Sequence, residues 1–326
     1  MKLKTLAQLL TLALLWGIAF LFIKVAVREI PPVTLIMTRV GLAAVILYLI
    51  LRAQGRNLPR PGRIWLHFAV VGLLYNALPY SLVAWSQQHI DSALAAMFIG
   101  ATPLITLVLA HFFTADDHFM PAKAGGVAFG FAGLAVLLGP ALADGLHVTS
   151  FGLLASLTAA ISYGAAIVYA KRTLHGLPPL VSPTAQLGLA ALFLLPVSLL
   201  VEQPYRLPLP SVTALGALLL LTVFSTALVF YIYYRAMETT SATTLSLATY
   251  LIPIVATAAG VLLLHEQLAW NVYLGSGLIF GGIFASNGLF TVSRWQRLLP
   301  GLRAAIIGRA VGSQKQSTQE EAARIV

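Results

Sequence analysis

The chain has 326 residues, 59% of them hydrophobic and only 9% charged. A soluble domain carries about 25% charged residues, so a soluble globular class is excluded and a lipid bilayer is the expected solvent. The absence of cysteine excludes disulfides, thiolate metal sites and a cysteine nucleophile, and the placement of the net charge of +10, described below, speaks against nucleic acid.

Ten apolar stretches follow one another, at 6–27, 33–53, 64–86, 92–113, 123–140, 150–171, 180–200, 213–235, 242–264 and 271–291. As helices rising about 1.5 Å per residue, they match a hydrocarbon core of roughly 30 Å. The first lacks a small-x-small cleavage site, so it reads as a span and not as a cleavable signal peptide. The expected fold is an all-α integral membrane protein with ten transmembrane helices. Short connections make neighbouring helices antiparallel.

The fourth stretch carries one proline, Pro103, near its centre. Proline removes a backbone donor and kinks a helix, and lipid tolerates this only where neighbours or a cavity satisfy the freed carbonyl. A shift of 150 positions brings Gln87–Ala110 onto Met237–Gly260 and Pro103 onto Pro253. Gly126 and Gly133 match Gly275 and Gly282 at the same seven-residue spacing, and Trp16, Gly17 and Lys24 match Tyr163, Gly164 and Lys171. The chain therefore reads as two five-helix repeats, 1–140 and 145–291, and a basic tail, 292–326. An odd number of spans per copy inverts the second against the first. In the tail, Arg294–Ala310 suits an amphipathic surface helix, and the residues beyond Gly312 read as disordered.

Lys and Arg in short loops set the orientation. With the N-terminus in the cytoplasm, sixteen of the twenty fall inside, only Arg28 and Arg206 fall outside, and Lys24 and Arg39 lie within spans. The basic balance is thus a topology signal, with both termini cytoplasmic in a bacterial inner membrane.

Four segments carry a resemblance: ALLWGIAFLFIKVAV, the arginine of LIMTRVGLAAVIL, AWSQQHIDSALAAMFIGATPLITLVLAHFF, and FYIYYRAMETTSATTLSLATYLIPIVATAAGVLLLHEQL. They resemble the EamA repeat of the drug/metabolite transporter superfamily over about residues 6 to 290, and within it the sequence is most similar to the YddG-type exporters of aromatic amino acids. The resemblance implies a carrier in which helices 1, 3, 4, 6, 8 and 9 line the cavity. One departure stands out. The Gly-Glu pair usual after the fourth and ninth helices is Ala115-Asp116 and His265-Glu266 here, which weakens the expectation of a specific role for that turn.

All ten acidic residues lie in or beside loops or in the tail, so no carboxylate relay of the kind found in ion-coupled carriers occupies a span centre. No P-loop, GxSxG or HExxH motif is present, and no cofactor is implied. His111, Asp116, Asp117 and His118 are ligand types, but at a helix end and a polar turn they read as a solvated loop and not as a metal site.

The candidate site residues are polar or aromatic and lie at mid-depth. Trp16, Phe20 and Lys24 share one helix face, as do Asn76, Tyr80 and Gln87 on the third helix and Ser246, Tyr250 and Pro253 on the ninth. Tyr163 on the sixth helix and Phe224, Tyr231 and Tyr234 on the eighth add to them. Each aromatic alone suits core packing or an interfacial belt, and Trp85 suits the outer surface. The Asn76 amide must bond a neighbour or face water. Lys24 either snorkels or contacts a substrate carboxylate. Arg39 either snorkels or plays a structural part, because its repeat mate is the neutral Gln186. Gly100 and Tyr250 each stand three residues before a matched proline, so a small residue opposite a tyrosine leaves room for a flat apolar group.

The expected function is export of a small organic metabolite, an aromatic or apolar amino acid, by alternating access. The expected partners are that substrate and the bilayer, without nucleic acid; the sequence leaves the oligomeric state open, and a monomer is compatible with it. A drug or nucleotide-type carrier of the same fold, and a non-transporting receptor or scaffold, are the alternatives.

Overall fold

Backbone in hydrocarbon finds no water, so its polar groups must be satisfied within helices. The structure, a computed structural model, describes residues 3–113, 121–143, 147–174, 176–237 and 247–286, together with 145, 240 and 245. Ser246, Asp116, Asp117, His118 and the tail 292–326 lie outside the described residues. Among those described there is no β-strand. The helical segments are α1 (Leu3–Ala26), α2 (Pro32–Ala53), α3 (Arg63–Ser86), α4 (Ser92–Phe113), α5 (Pro121–Ala143), α6 (Val148–Thr173), α7 (Val181–Arg206), α8 (Val212–Met237), α9 (Leu247–Leu263) and α10 (Trp270–Ser286). Eight of them, α1 to α8, are long and apolar enough to cross a membrane, whereas α9 and α10 have 17 residues each.

Irregularities interrupt the middle of α3, α4 and α8, and α7 passes into a π turn at Ser198–Glu202 near its end. The ladder of α4 breaks at Ala101, between Ser92–Gly100 and Thr102–Phe113, where Pro103 offers no N–H. Helix α9 runs through Pro253 without interruption, so the two matched prolines act differently. Helix α3 opens into a π turn at Gly72–Ala77 and α8 into another at Val223–Leu228. In α3 the cause is Pro79, which has no N–H for the Tyr75 carbonyl.

The main helix contacts are preserved when each helix is exchanged for the one five places along, although α2 also meets α3 and α1 also meets α4. Helix α1 packs on α8 and α9, and correspondingly α6 packs on α3 and α4; α2 packs on α7, α4 on α9 and α5 on α10. The helices α8, α1, α9, α4, α6 and α3 form a chain of neighbours in that order, with α2 against α8 and α7 against α3. Small residues set the closest approaches. A Cβ at Gly17 would lie 2.6 Å from Val255 Cγ1, and one at its repeat mate Gly164 would lie 3.0 Å from Ile105 Cγ2. Ile105 and Val255 are themselves 150 positions apart.

Candidate functional site

The opened turn of α3 faces α6. The Tyr163 ring of α6 is 5.1 Å from Tyr75 and 6.2 Å from Tyr80, both of α3. The neighbouring Ser162 Oγ donates to the Leu74 carbonyl at 2.7 Å, which fixes α6 against the turn. π turns are frequent at functional sites. Asn76, inside the turn, is 1% exposed, and neither its Oδ1 nor its Nδ2 has a protein partner; Ser81, Thr102 and Ser225 likewise hold buried hydroxyls without one. The alternatives for Asn76 were a bonded neighbour or an aqueous face, and the protein provides no bonded neighbour.

Arg39 does not snorkel. It is 4% exposed, and its Nε donates to Thr226 Oγ1 of α8 at 2.8 Å. Thr226 in turn donates to the Leu221 carbonyl at 3.0 Å. The guanidinium carbon lies 4.2 Å from the centroid of the Tyr80 ring, a cation–π distance. The repeat mate Gln186 spends its amide on Ser182 Oγ at 2.5 Å. Arg39, Tyr80, Tyr163, Tyr75 and Thr226 thus gather in the interior from α2, α3, α6 and α8, with Asn76 buried in the π turn beside Tyr75 in sequence.

Other expected residues go elsewhere. Lys24 donates to the Gln87 and Ile90 carbonyls at 2.7 Å each; these two bonds tie α1 to the C-terminal end of α3, and neither goes to a carboxylate. Trp16 tilts against Tyr233 at 5.6 Å and Phe20 is buried in the core. Tyr231 is half-buried against the same core. Phe224 is exposed, unlike its buried neighbours Ser225 and Thr226. Tyr250 meets Phe284 of α10 edge-on at 6.3 Å. The room expected beside Gly100 is filled, since a Cβ there would stand 2.7 Å from the Pro253 ring. Trp85 is exposed, as its position suggested.

The acids at the end of the bundle where α1 finishes cap helices they do not belong to. Glu266 accepts from Ser92 N at 2.8 Å and Ala93 N at 3.1 Å, at the start of α4. This corrects the doubt over its turn: His265 takes the left-handed conformation, with φ 57°, in place of the family's glycine, and aims Glu266 at the helix. Glu202 caps α2, and Glu29 caps α8 through Ser211 N at 2.6 Å.

Beside Glu266, the Asp91 carboxyl is raised above its ordinary 3.8, first by burial and then by the Glu266 charge, with Lys24 opposing. A carboxyl that holds its proton more tightly in the folded state stabilises the fold below the ordinary value, and that contribution is lost as pH rises through the folded value. Asp91→Asn is therefore expected to flatten the pH dependence of melting temperature just above pH 3.8. An unaltered slope would show that Asp91 titrates the same way folded and unfolded.

Long apolar helices with a polar and aromatic cluster in the bundle interior define a multi-pass membrane protein. The chain belongs to the EamA-like transporter family, whose model matches residues 3–139 and again 150–288. It is 28% identical to the uncharacterized transporter YoaV of Bacillus subtilis, over 89% of this chain and 98% of YoaV. It is 27% identical to the uncharacterized inner membrane transporter YedA of Escherichia coli, over 83% of this chain and 86% of YedA. Protein PecM of Dickeya dadantii is 26% identical over 87% of this chain and 93% of PecM. A solved crystal structure shares the fold, with a TM-score of 0.61 and 20% identity over 88% of this chain and 98% of its own. The family is one of transporters, not enzymes.

Proposed function

We propose that the chain is a ten-span inner-membrane carrier, built of two inverted five-helix repeats with both termini cytoplasmic, that exports aromatic or apolar amino acids by alternating access. The carrying observation is the interior cluster of Tyr75, Tyr80 and Tyr163, together with the buried, unpartnered Asn76 amide in the π turn of α3. Polar side chains inside a membrane mark substrate paths, and inverted-repeat carriers bind at the repeat interface. Aromatic rings offer apolar area and edge-to-face contacts to a flat side chain. The exchange of packing between helices five apart supports the inverted repeat, the excess of Lys and Arg in one set of loops supports the orientation, and the name of YedA supports the location.

Helices α4 and α9 are the moving pair. They touch at mid-depth through Gly100 and Pro253, and again at one end, where a Cβ on Gly260 would stand 3.0 Å from Ser92 Oγ. Rocking about the first contact opens one end as it closes the other. The break at Ala101 supplies the hinge.

Release of labelled phenylalanine from loaded proteoliposomes tests the reading. Saturable release, inhibited by tyrosine and tryptophan and needing no imposed pH gradient, is the expected result. Tyr163→Ala is expected to weaken phenylalanine about two- to twelvefold, since an aromatic pair contributes about 0.5–1.5 kcal/mol beyond area, and to spare alanine. Release at the rate of empty vesicles overturns the substrate class, and uphill accumulation driven by a pH gradient alone overturns the uncoupled mechanism.

A further inference from the structure

We infer that Arg39 is the anion anchor of the transport site and takes the carboxylate of the substrate through its two terminal nitrogens. The inference rests on the carrier reading above and names the group that this site recognises.

Arg39 sits seven residues into α2, about 10 Å along the helix from its start. A guanidinium stays protonated, and a charge at that depth is costly unless function or a partner retains it. Among the described residues no carboxylate pairs with it. Its protein contacts are one hydroxyl, Thr226 Oγ1, and one ring face, Tyr80. Both contacts orient the group without neutralising it. Of the five N–H donors of a guanidinium, Nε–H is committed to Thr226, which holds the plane against rotation while Tyr80 covers a face. The four N–H of the terminal nitrogens form the planar fork that matches two carboxylate oxygens.

The repeat shows that packing alone does not demand a cation here. Gln186 occupies the matching place in the second copy, is 8% exposed, and is satisfied by Ser182. One half of the molecule therefore carries a fixed positive charge and the other a neutral amide. That asymmetry suits a substrate with one anionic end. The Tyr80 ring that Arg39 covers also meets Tyr163, which places an apolar surface next to the fork. Asn76 is four residues before Tyr80 on α3, and its free Oδ1 can accept from a substrate ammonium. An amino acid with a flat side chain fits all three features.

The test uses purified full-length protein and three probes: L-phenylalanine, 3-phenylpropionate, which lacks the amine, and L-phenylalaninamide, which lacks the carboxylate. Both acids are expected to raise the melting temperature of the wild type at concentrations at least tenfold below those needed for the amide. Arg39→Gln should erase that preference, and Arg39→Lys, which keeps the charge without the fork, should restore part of it. A merely structural Arg39 would shift the melting temperature of the variants and leave the preference for acids intact. If Arg39→Gln does not fold, the wild-type series decides alone: equal potency of acid and amide, or no stabilisation by any probe, overturns the anchor. Acid-selective stabilisation without phenylalanine flux upholds the anchor and overturns aromatic amino acid export. Phenylalanine flux inhibited equally by acid and amide overturns the anchor and upholds export.

Discussion

Gly282→Leu is expected to lower the melting temperature of the solubilised protein sharply and to free α10 from α5. A Cβ at Gly282 would stand 2.5 Å from the Gly130 nitrogen and 2.8 Å from its Cα. Nearby, a Cβ at Gly126 would lie 2.5 Å from the Ser286 nitrogen, and one at Gly133 would lie 2.6 Å from the Gly275 carbonyl oxygen. These obstacles are backbone, so no side chain can rotate out of the way. Overpacking typically costs about 1–3 kcal/mol, and a rigid obstacle puts Gly282 at the upper end. In lipid no hydrophobic drive pushes two helices together, and close backbone contact is what holds them. Gly216→Leu is the control. Nothing lies within 4 Å of a Cβ there, and replacing a helical glycine gains up to about 1 kcal/mol. Equal melting temperatures for the two variants would remove the glycine contact from the account.

The spacing behind this pairing was legible in the sequence, because seven residues make nearly two helical turns and keep Gly126 with Gly133, and Gly275 with Gly282, on one face; that the two faces meet was not. The eight long apolar helices were legible because a span in hydrocarbon must satisfy its backbone internally, in a helix or a closed barrel, and the stretches have helix length. Asn76, Tyr80 and Tyr163 could be picked out as polar or aromatic at mid-depth. Tyr75 could not. At 100° per residue, positions five apart point about 140° away from each other, and Tyr75 meets Tyr163 beside Tyr80 only because the π turn, bonded i→i+5, rotates the helix. Arg39 was visible as a charge inside a span, but its direction was not. Its partner Thr226 is 187 positions away, and the neutral repeat mate Gln186 argued equally for a structural part. Gly100 misled for a related reason: a missing side chain reads as space, and the Pro253 ring from the other repeat fills it. The capping by Glu29, Glu202 and Glu266 was not legible, because the helix ends they cap belong to distant segments.

Glu202→Ala is the second substitution expected to have a large effect, through α2. That helix starts Pro31-Pro32-Val33-Thr34, and proline has no N–H, so Val33 and Thr34 carry the first free donors. Glu202 takes both, at 2.9 and 2.6 Å, and accepts from the Thr34 hydroxyl at 2.7 Å. Thr34 Oγ1 also lies 2.7 Å from Ser198 Oγ in the buried seam between α2 and α7. Hydrogen bonds to a charged group contribute about 1.5–3 kcal/mol each and overlap when they share one carboxylate, so the alanine variant is expected to lose about 3 kcal/mol. Glu202→Gln keeps one acceptor oxygen and loses the charge that complements the helix N-terminus, so it should fall between alanine and wild type. Glu29→Ala removes a comparable pair of bonds to Ser211 at an exposed site, where water replaces them, and its effect should be the smallest. Melting temperatures of the four proteins measure the order. Equal values for Glu29→Ala and Glu202→Ala would mean that burial of the α2 cap adds nothing. The cap also bears on the site, because Arg39 lies five residues after Thr34 on the same rigid helix. A slip of α2 that released Thr34 would carry Arg39 away from Thr226, so Glu202→Ala should also weaken discrimination between 3-phenylpropionate and phenylalaninamide, and Glu29→Ala should leave it unchanged.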